Sequence, residues 1–204
     1  MIIIIDYGYG NLMSVYRSVQ QFTNECEISS DPYTISSADK FILPGVGHFN
    51  TAMKSLRDSG LKEVLDEEVM KNRKPILGIC LGVQLFCLSS EEDLNDPGLG
   101  WIEAHVRRFK PADKVRYKIP NIGWLQNNIV NRNKLDDGLT NDDEFYFVHS
   151  YYIECINRQD VWMSSVYADK FISAVHVENI YGTQFHPEKS YEAGEMIIGN
   201  FCKL

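Results

Sequence analysis

Three times in its first half the chain runs the same course: a short apolar stretch, a glycine-bearing turn, then apolar residues at helical spacing. "IIIID" passes through Gly8 and Gly10 into "NLMSVYRSVQQF", which puts Leu12, Val15, Tyr16, Val19 and Phe22 on one helical face. "KFIL" passes through the turn "PGVG" into a segment with Phe49, Ala52, Met53 and Leu56 at the same spacing, and a second such segment carries Leu61, Val64, Leu65 and Val69. "KPILGI" then meets Cys80 and a helix start. Apolar runs without alternation are strands buried on both faces, and strands separated by helices of this length build a mainly parallel sheet covered on both sides. Such sheets take their ligands at the carboxyl ends of the strands, so the turns are where chemistry belongs.

From about residue 100 the texture changes to shorter β-like stretches, "WIEAHVRRF", "EFYFVHSYYIE", "FISAVHV" and "IYGTQF", before a closing helix with Ala193, Met196, Ile197 and Phe201. The fold class expected is α/β: a mainly parallel central sheet flanked by helices, with additional antiparallel strands in the second half. At 204 residues, 44% hydrophobic and 24% charged, the chain is long enough for one well-buried core and short for two, so residues 1–204 are read as one domain. "SSEEDLNDPG" reads as an acidic surface loop.

A net charge of -8 is the wrong sign for tracking phosphate backbones or anionic membranes, so neither nucleic acid nor membrane is expected as a partner. No stretch approaches the roughly 20 apolar residues of a membrane span, and the aspartate in "MIIIIDYGYGNL" interrupts what a secretion signal would need. A cytoplasmic protein is expected. Cys26, Cys80, Cys87, Cys155 and Cys202 are scattered and without a C-x-x-C pair, hence expected to be free thiols.

One of them stands apart. Gly78-Ile79-Cys80-Leu81-Gly82 has the G-x-nucleophile-x-G spacing of a sharp strand-to-helix turn, in which side chains two positions either side of the nucleophile would collide with neighbouring backbone. The plain alternative is a buried small hydrophobe between glycines that let a helix pack closely. A cysteine nucleophile needs a base, and His48, His105, His149, His176 and His186 are available. His186 ends an apolar strand, Pro187 stops that strand, and Glu188 two residues on can hold the imidazole in one tautomer. Cys80, His186 and Glu188 make a plausible triad; a metal held by the three, or a simple strand cap, are the alternatives. The "PGVG" turn can expose backbone N–H groups that, with that of Leu81, form an oxyanion hole, unless it is an ordinary tight turn.

Two other patterns carry less. "GYGNLM" has Met13 where G-x-G-x-x-G needs its third glycine, which argues against a dinucleotide site. Trp101, Trp124, Phe145, Tyr146, Phe147, Tyr151 and Tyr152 suit core and interface packing better than base stacking in a chain this acidic.

"GICLGVQLF", "PGVGHF" and "QFHPEKS", in this order, resemble the class I (triad) glutamine amidotransferases, whose fold is flavodoxin-like. "DYGYGNL" and "FYFVHSYY" narrow the resemblance to glutaminase subunits that form heterodimers with a synthase (cyclase) making imidazole glycerol phosphate in histidine biosynthesis. The resemblance implies Cys80 as nucleophile, His186 as base, Glu188 as orienting acid, Val46 and Leu81 as oxyanion amides, and Gly47, Gln84, Ser150 and Tyr151 as glutamine-binding positions. It implies no cofactor and no metal. Because the glutaminase motifs consume the chain, the ammonia acceptor is expected on the partner, docked against Asn11, Trp124 and Lys189. The family usually reads Pro-His-hydrophobic-Gly-Trp-Asn where this chain has "PNIGWL", with Asn121 for the histidine and Leu125 for the asparagine. A paralogue supplying ammonia to a sugar-modifying amidotransferase in surface polysaccharide synthesis is therefore the alternative reading.

Overall fold

The computed structural model describes residues 1–204. Its first half follows the periodicity of the sequence: β1 (Ile2–Ile5), α1 (Leu12–Gln20), β2 (Cys26–Ser29), α2 (Pro32–Ser36), β3 (Lys40–Gly45), α3 (Phe49–Asp58), α4 (Leu61–Leu65), β4 (Ile76–Cys80) and, with no intervening loop, α5 (Leu81–Leu85). All four isoleucines of β1 are buried, Ile3 and Ile5 in one core and Ile2 and Ile4 in the other. Alternation of side chains across a strand produces this split, and each such burial contributes about 1.5–3 kcal/mol. Val15 and Val19 of α1 cover one face, while Phe49, Ala52, Met53 and Leu56 of α3 cover the opposite one. Beyond α4 the chain widens into a π-helical turn, Asp66–Lys71, that still buries Val69.

The second half supplies β5 (Ser89–Ser90), β6 (Ala104–Arg108), β7 (Asn121–Gln126), β8 (Asn128–Ile129), β9 (Glu144–His149), β10 (Tyr151–Cys155), β11 (Val161–Tyr167), β12 (Asp169–Val177), β13 (Ile180–Thr183) and α6 (Tyr191–Lys203). The sheet runs β2-β1-β3-β4-β13-β12-β10-β6-β5, with β11 paired to β12 and to β8. From β2 to β13 the pairing is parallel; from β13 through β12 and β10 to β6 it is antiparallel. The expected α/β architecture is thus present, and β4 and β13 lie side by side.

Four local expectations are corrected. β3 does not stop at Leu43 but continues through Pro44 to Gly45, which pairs with Cys80, so the turn shrinks to the residues after Gly45. "EFYFVHSYYIE" is not one strand: it breaks at Ser150, leaving β9 to pair with β7 in a separate two-stranded sheet while β10 joins the main one. In "WIEAHVRRF" pairing begins only at Ala104, because Trp101 is turned into the core against Phe86, its indole N–H donating to Asp66 at 2.7 Å. Phe22 falls beyond the end of α1, yet its ring packs on α6, where a Cβ at Gly199 would lie 2.7 Å from it. The five cysteines are free thiols, and no helix is long and apolar enough to cross a membrane.

Candidate active site

Cys80 occupies the one-residue corner between β4 and α5 with φ 56° and ψ -112°, a conformation costing a non-glycine residue on the order of 1–3 kcal/mol. The flanking glycines permit it. A Cβ at Gly82 would lie 1.8 Å from the carbonyl oxygen of Leu43, and one at Gly78 would lie 2.5 Å from the Phe86 ring. α5 therefore crosses β3 at backbone contact distance, and the thiol is held at the sheet's carboxyl edge.

β13 delivers the second group to the same edge, as its parallel pairing with β4 requires. His186 follows the strand, its backbone N–H donates to the Tyr146 carbonyl at 2.9 Å, and Pro187 opens a short 3-10 turn that swings Glu188 beneath the ring. Nδ1 of His186 lies 2.8 Å from Oε1 of Glu188, and both side chains are buried. Burial opposes the charge on His186, but the neighbouring Cys80 sulfur and the Glu188 carboxylate outweigh it and push the imidazole up to about 10. Nε2, the ring nitrogen not engaged by Glu188, has no hydrogen-bond partner in this conformation.

Cys80 and His186 line a cavity of about 360 Å³. Val46, Gly47, Leu81, Gln84, Ser150 and Tyr151, all singled out from sequence, line it too. Gly47 adopts φ +108°, which favours glycine. Gln84 sits deeper than a simple substrate contact: its Nε2 donates to Gln184 Oε1 at 2.9 Å and to the Tyr151 carbonyl at 3.4 Å. Gln184 in turn donates to the Cys80 sulfur at 3.6 Å.

Sequence reasoning missed Glu92 and Gln184 here, and named His149 only as one of five possible bases. Glu92 lies in the supposed surface loop, yet it lines the cavity, where it accepts from the Phe49 N–H at 2.8 Å and contacts His48 Nδ1 at 3.1 Å. Nothing in the acidic run 91–96 distinguishes it from its neighbours. His149 also lines the cavity, and Gln184 backs the thiol; their signal was their place as the first residues of "HSYY" and "QFHPE". His105 is bonded to Ser89 and His176 stacks on Tyr181, neither on the cavity. No cluster of three or more His, Cys, Asp or Glu is arranged to hold a metal.

None of the three residues read as a docking face lines the cavity. Asn11 caps α1, its side chain accepting from the Ser14 N–H at 3.4 Å. Trp124 is partly exposed and stacked on Tyr191, with ring centroids 5.0 Å apart and planes 4° from parallel. Lys189 sits 5.8 Å over the ring of Tyr146.

A cysteine at a strained strand–helix corner, beside a buried His–Glu pair on the adjacent parallel strand, defines a hydrolase-type acyl-transfer site. The glutamine amidotransferase class-I family matches residues 3–203, and the chain belongs to that family. It is 44% identical over 203 residues to imidazole glycerol phosphate synthase subunit HisH 2 of Methanococcus maripaludis, covering 100% of this chain and 99% of that one. It is 43% identical to the subunit of the same name from Pseudomonas aeruginosa, each chain covered in full at 100%. Among solved structures it is similar to PurLQS of Thermotoga maritima, at a TM-score of 0.71 and 16% identity, covering 99% of this chain and 97% of that one. A crystal structure of a glutamine amidotransferase gives 0.73 at 17% identity, over 95% of this chain and 94% of the other. At these identities the structural likeness speaks to the fold.

Proposed function

We propose that this chain is the cytoplasmic glutaminase subunit of an imidazole glycerol phosphate synthase, one domain that hydrolyses glutamine and passes the ammonia to a cyclase subunit. The observation that carries this reading is the meeting of Cys80, the His186–Glu188 pair and the glutamine-binding positions on one cavity.

Cys80 passes its thiol proton to Nε2 of His186, Sγ attacks the side-chain amide carbon of glutamine, and the carbonyl oxygen becomes an oxyanion received by the backbone N–H groups of Val46 and Leu81. His186 donates its proton from Nε2 to the amide nitrogen, the C–N bond breaks, and ammonia leaves a γ-glutamyl thioester on Cys80. Water then adds to the thioester, His186 takes up its proton, and the C–S bond breaks to release glutamate. Glu188 holds His186 in the tautomer and orientation both steps need. Glu92 offers the substrate's ammonium group a carboxylate at the cavity wall, and Gly47, Ser150 and Tyr151 hold the rest of the amino acid.

Ammonia released into water would be protonated and diluted, so the acceptor enzyme docks over the cavity, against Asn11, Trp124 and Lys189. Asn121 and Leu125, which depart from the family pattern, favour a second reading in which the acceptor is a sugar-modifying synthase. Assay of glutamine hydrolysis with each type of synthase from the same cell separates the two: stimulation by the cyclase supports the first, and stimulation by the sugar enzyme alone refutes it.

A further inference from the structure

Asn121 is buried at the start of β7, directly opposite His149 of β9 in the two-stranded sheet. Its Nδ2 lies 3.1 Å from Nε2 of His149, and Nδ1 of the same ring lies 2.7 Å from the carbonyl oxygen of Tyr151. These two contacts determine the ring's protonation. A carbonyl oxygen only accepts, so Nδ1 carries the hydrogen; Nε2 is then bare and accepts from the Asn121 amide. The ring packs among Phe109, Phe147 and Phe171, with centroids 5.3, 5.4 and 5.3 Å away. Burial there, opposed by the Tyr151 carbonyl and reinforced by the facing His186 cation, holds His149 down to about 4, so it is neutral where His186 is charged.

The Tyr151 carbonyl that His149 grips also accepts from Gln84, and Gln84 leads through Gln184 to the Cys80 sulfur. Between His149 and Tyr151 lies Ser150, at the break between β9 and β10. We propose that Asn121 is a positioning residue for the substrate pocket: its side-chain amide donates to the bare Nε2 of His149, holds the ring in the orientation that pins the Tyr151 carbonyl, and so sets the turn carrying Ser150 and Tyr151. The inference rests on the reading of this cavity as a glutamine site. Asn121 is one of the two residues that depart from the family pattern, and here it acts inward on the pocket, while its strand neighbours Ile122 and Trp124 are turned toward solvent.

Two variants remove the donated hydrogen bond in different ways. In Asn121→Leu the side chain keeps its bulk and loses its donor; in Asn121→Asp the nearly isosteric carboxylate can only accept, so Nε2 must take a proton. Nitrogen-15 NMR of the histidine rings in the full chain is expected to show a neutral His149 with hydrogen on Nδ1 at pH 7. Asn121→Asp is expected to yield a doubly protonated ring, and Asn121→Leu a neutral ring whose hydrogen stays on Nδ1 while the Nε2 signal shifts to that of a nitrogen without a hydrogen bond.

Alkylation of Cys80 by iodoacetamide, which needs no pocket, should proceed at the wild-type rate in both variants and thereby report an intact elbow. Labelling of Cys80 by an electrophilic glutamine analogue should slow about tenfold, with KM for glutamine raised by a similar factor and kcat changed less than threefold. Equal analogue labelling in wild type and both variants, or an unchanged His149 ring in Asn121→Asp, would overturn the proposal. An iodoacetamide rate lost together with analogue labelling would also overturn it, by showing a structural role only. A wild-type protein that reacts with iodoacetamide but not with the analogue refutes instead the glutamine reading beneath it.

Discussion

Gly82 and Leu43 meet at backbone contact, with 1.8 Å between the Leu43 carbonyl oxygen and the place a Cβ on Gly82 would occupy. Nothing in this contact is a flexible side-chain end, so a methyl group can be admitted only by moving α5 off β3. Gly82→Ala is expected to destabilise the fold by about 3 kcal/mol, the upper end of overpacking effects. It should also displace Cys80 and abolish turnover. Denaturant unfolding measures the first; a stability change under 1 kcal/mol would show that the elbow tolerates the shift.

The buried His186–Glu188 pair gives the protein a defined pH response. His186 is raised from 6.5 to about 10 in the folded chain, so its contribution to stability is fully present below about pH 6.5 and is lost as pH rises through about 10. Glu188→Gln removes one of the causes and should lower the His186 titration, seen by NMR, and flatten the decline in thermal stability between pH 7 and 10. Because nucleophile and base remain in place, this variant should slow turnover less than His186→Ala. A steeper loss in Glu188→Gln would mean that the carboxylate does more than orient the ring.

The cysteines should react unequally. Burial pushes the Cys26 and Cys155 thiols up to about 12, and raises Cys87 and Cys202 as well. Thiolates are the reactive form, so an electrophilic glutamine analogue near pH 7 is expected to modify Cys80 and spare the other four. Peptide mapping by mass spectrometry checks this, and modification spread over several cysteines would contradict a single catalytic thiol.

The parallel half of the fold was legible because its signals are local: unbroken apolar strands, glycine turns and helical faces such as Phe49, Ala52, Met53 and Leu56. The elbow was legible for the same reason, since Gly78, Cys80 and Gly82 are close in sequence. β2, β5, β7, β8 and β11 were not read: β2, β5 and β8 are short, β7 is half-exposed, and β11 mixes buried serines with its apolar residues, so its place is set by partners far along the chain. The break at Ser150 is accompanied by the His149 ring turning back to the Tyr151 carbonyl, a contact without a sequence period. Glu92 was hidden in a run of like charges, and only the path of the loop across the α3 N-terminus turns it into the cavity.

The stacked pair Trp124–Tyr191 and the side chain of the nearby Lys189 lie outside the cavity lining, although the Lys189 backbone N–H donates to the His186 carbonyl at 3.0 Å. Trp124→Ala and Lys189→Ala are therefore expected to weaken ammonia transfer to the cyclase several-fold while leaving any uncoupled glutamine hydrolysis within about twofold. Steady-state assays of the two reactions in the reconstituted complex separate them. Equal loss of both would place these side chains in the chemistry.

The most direct measurement is glutamine hydrolysis by the purified subunit, first alone and then with the imidazole glycerol phosphate synthase cyclase from the same cell, using Cys80→Ala as control. Low activity alone is expected, because Gly47 leaves the oxyanion turn conformationally free, and a missing oxyanion donor lowers the rate on the order of 10²- to 10³-fold. Adding the cyclase should restore that factor, and the Cys80→Ala complex should still use added ammonium salt. Full glutaminase activity in Cys80→Ala, or no response to the cyclase, would contradict a Cys80-dependent glutaminase that feeds it.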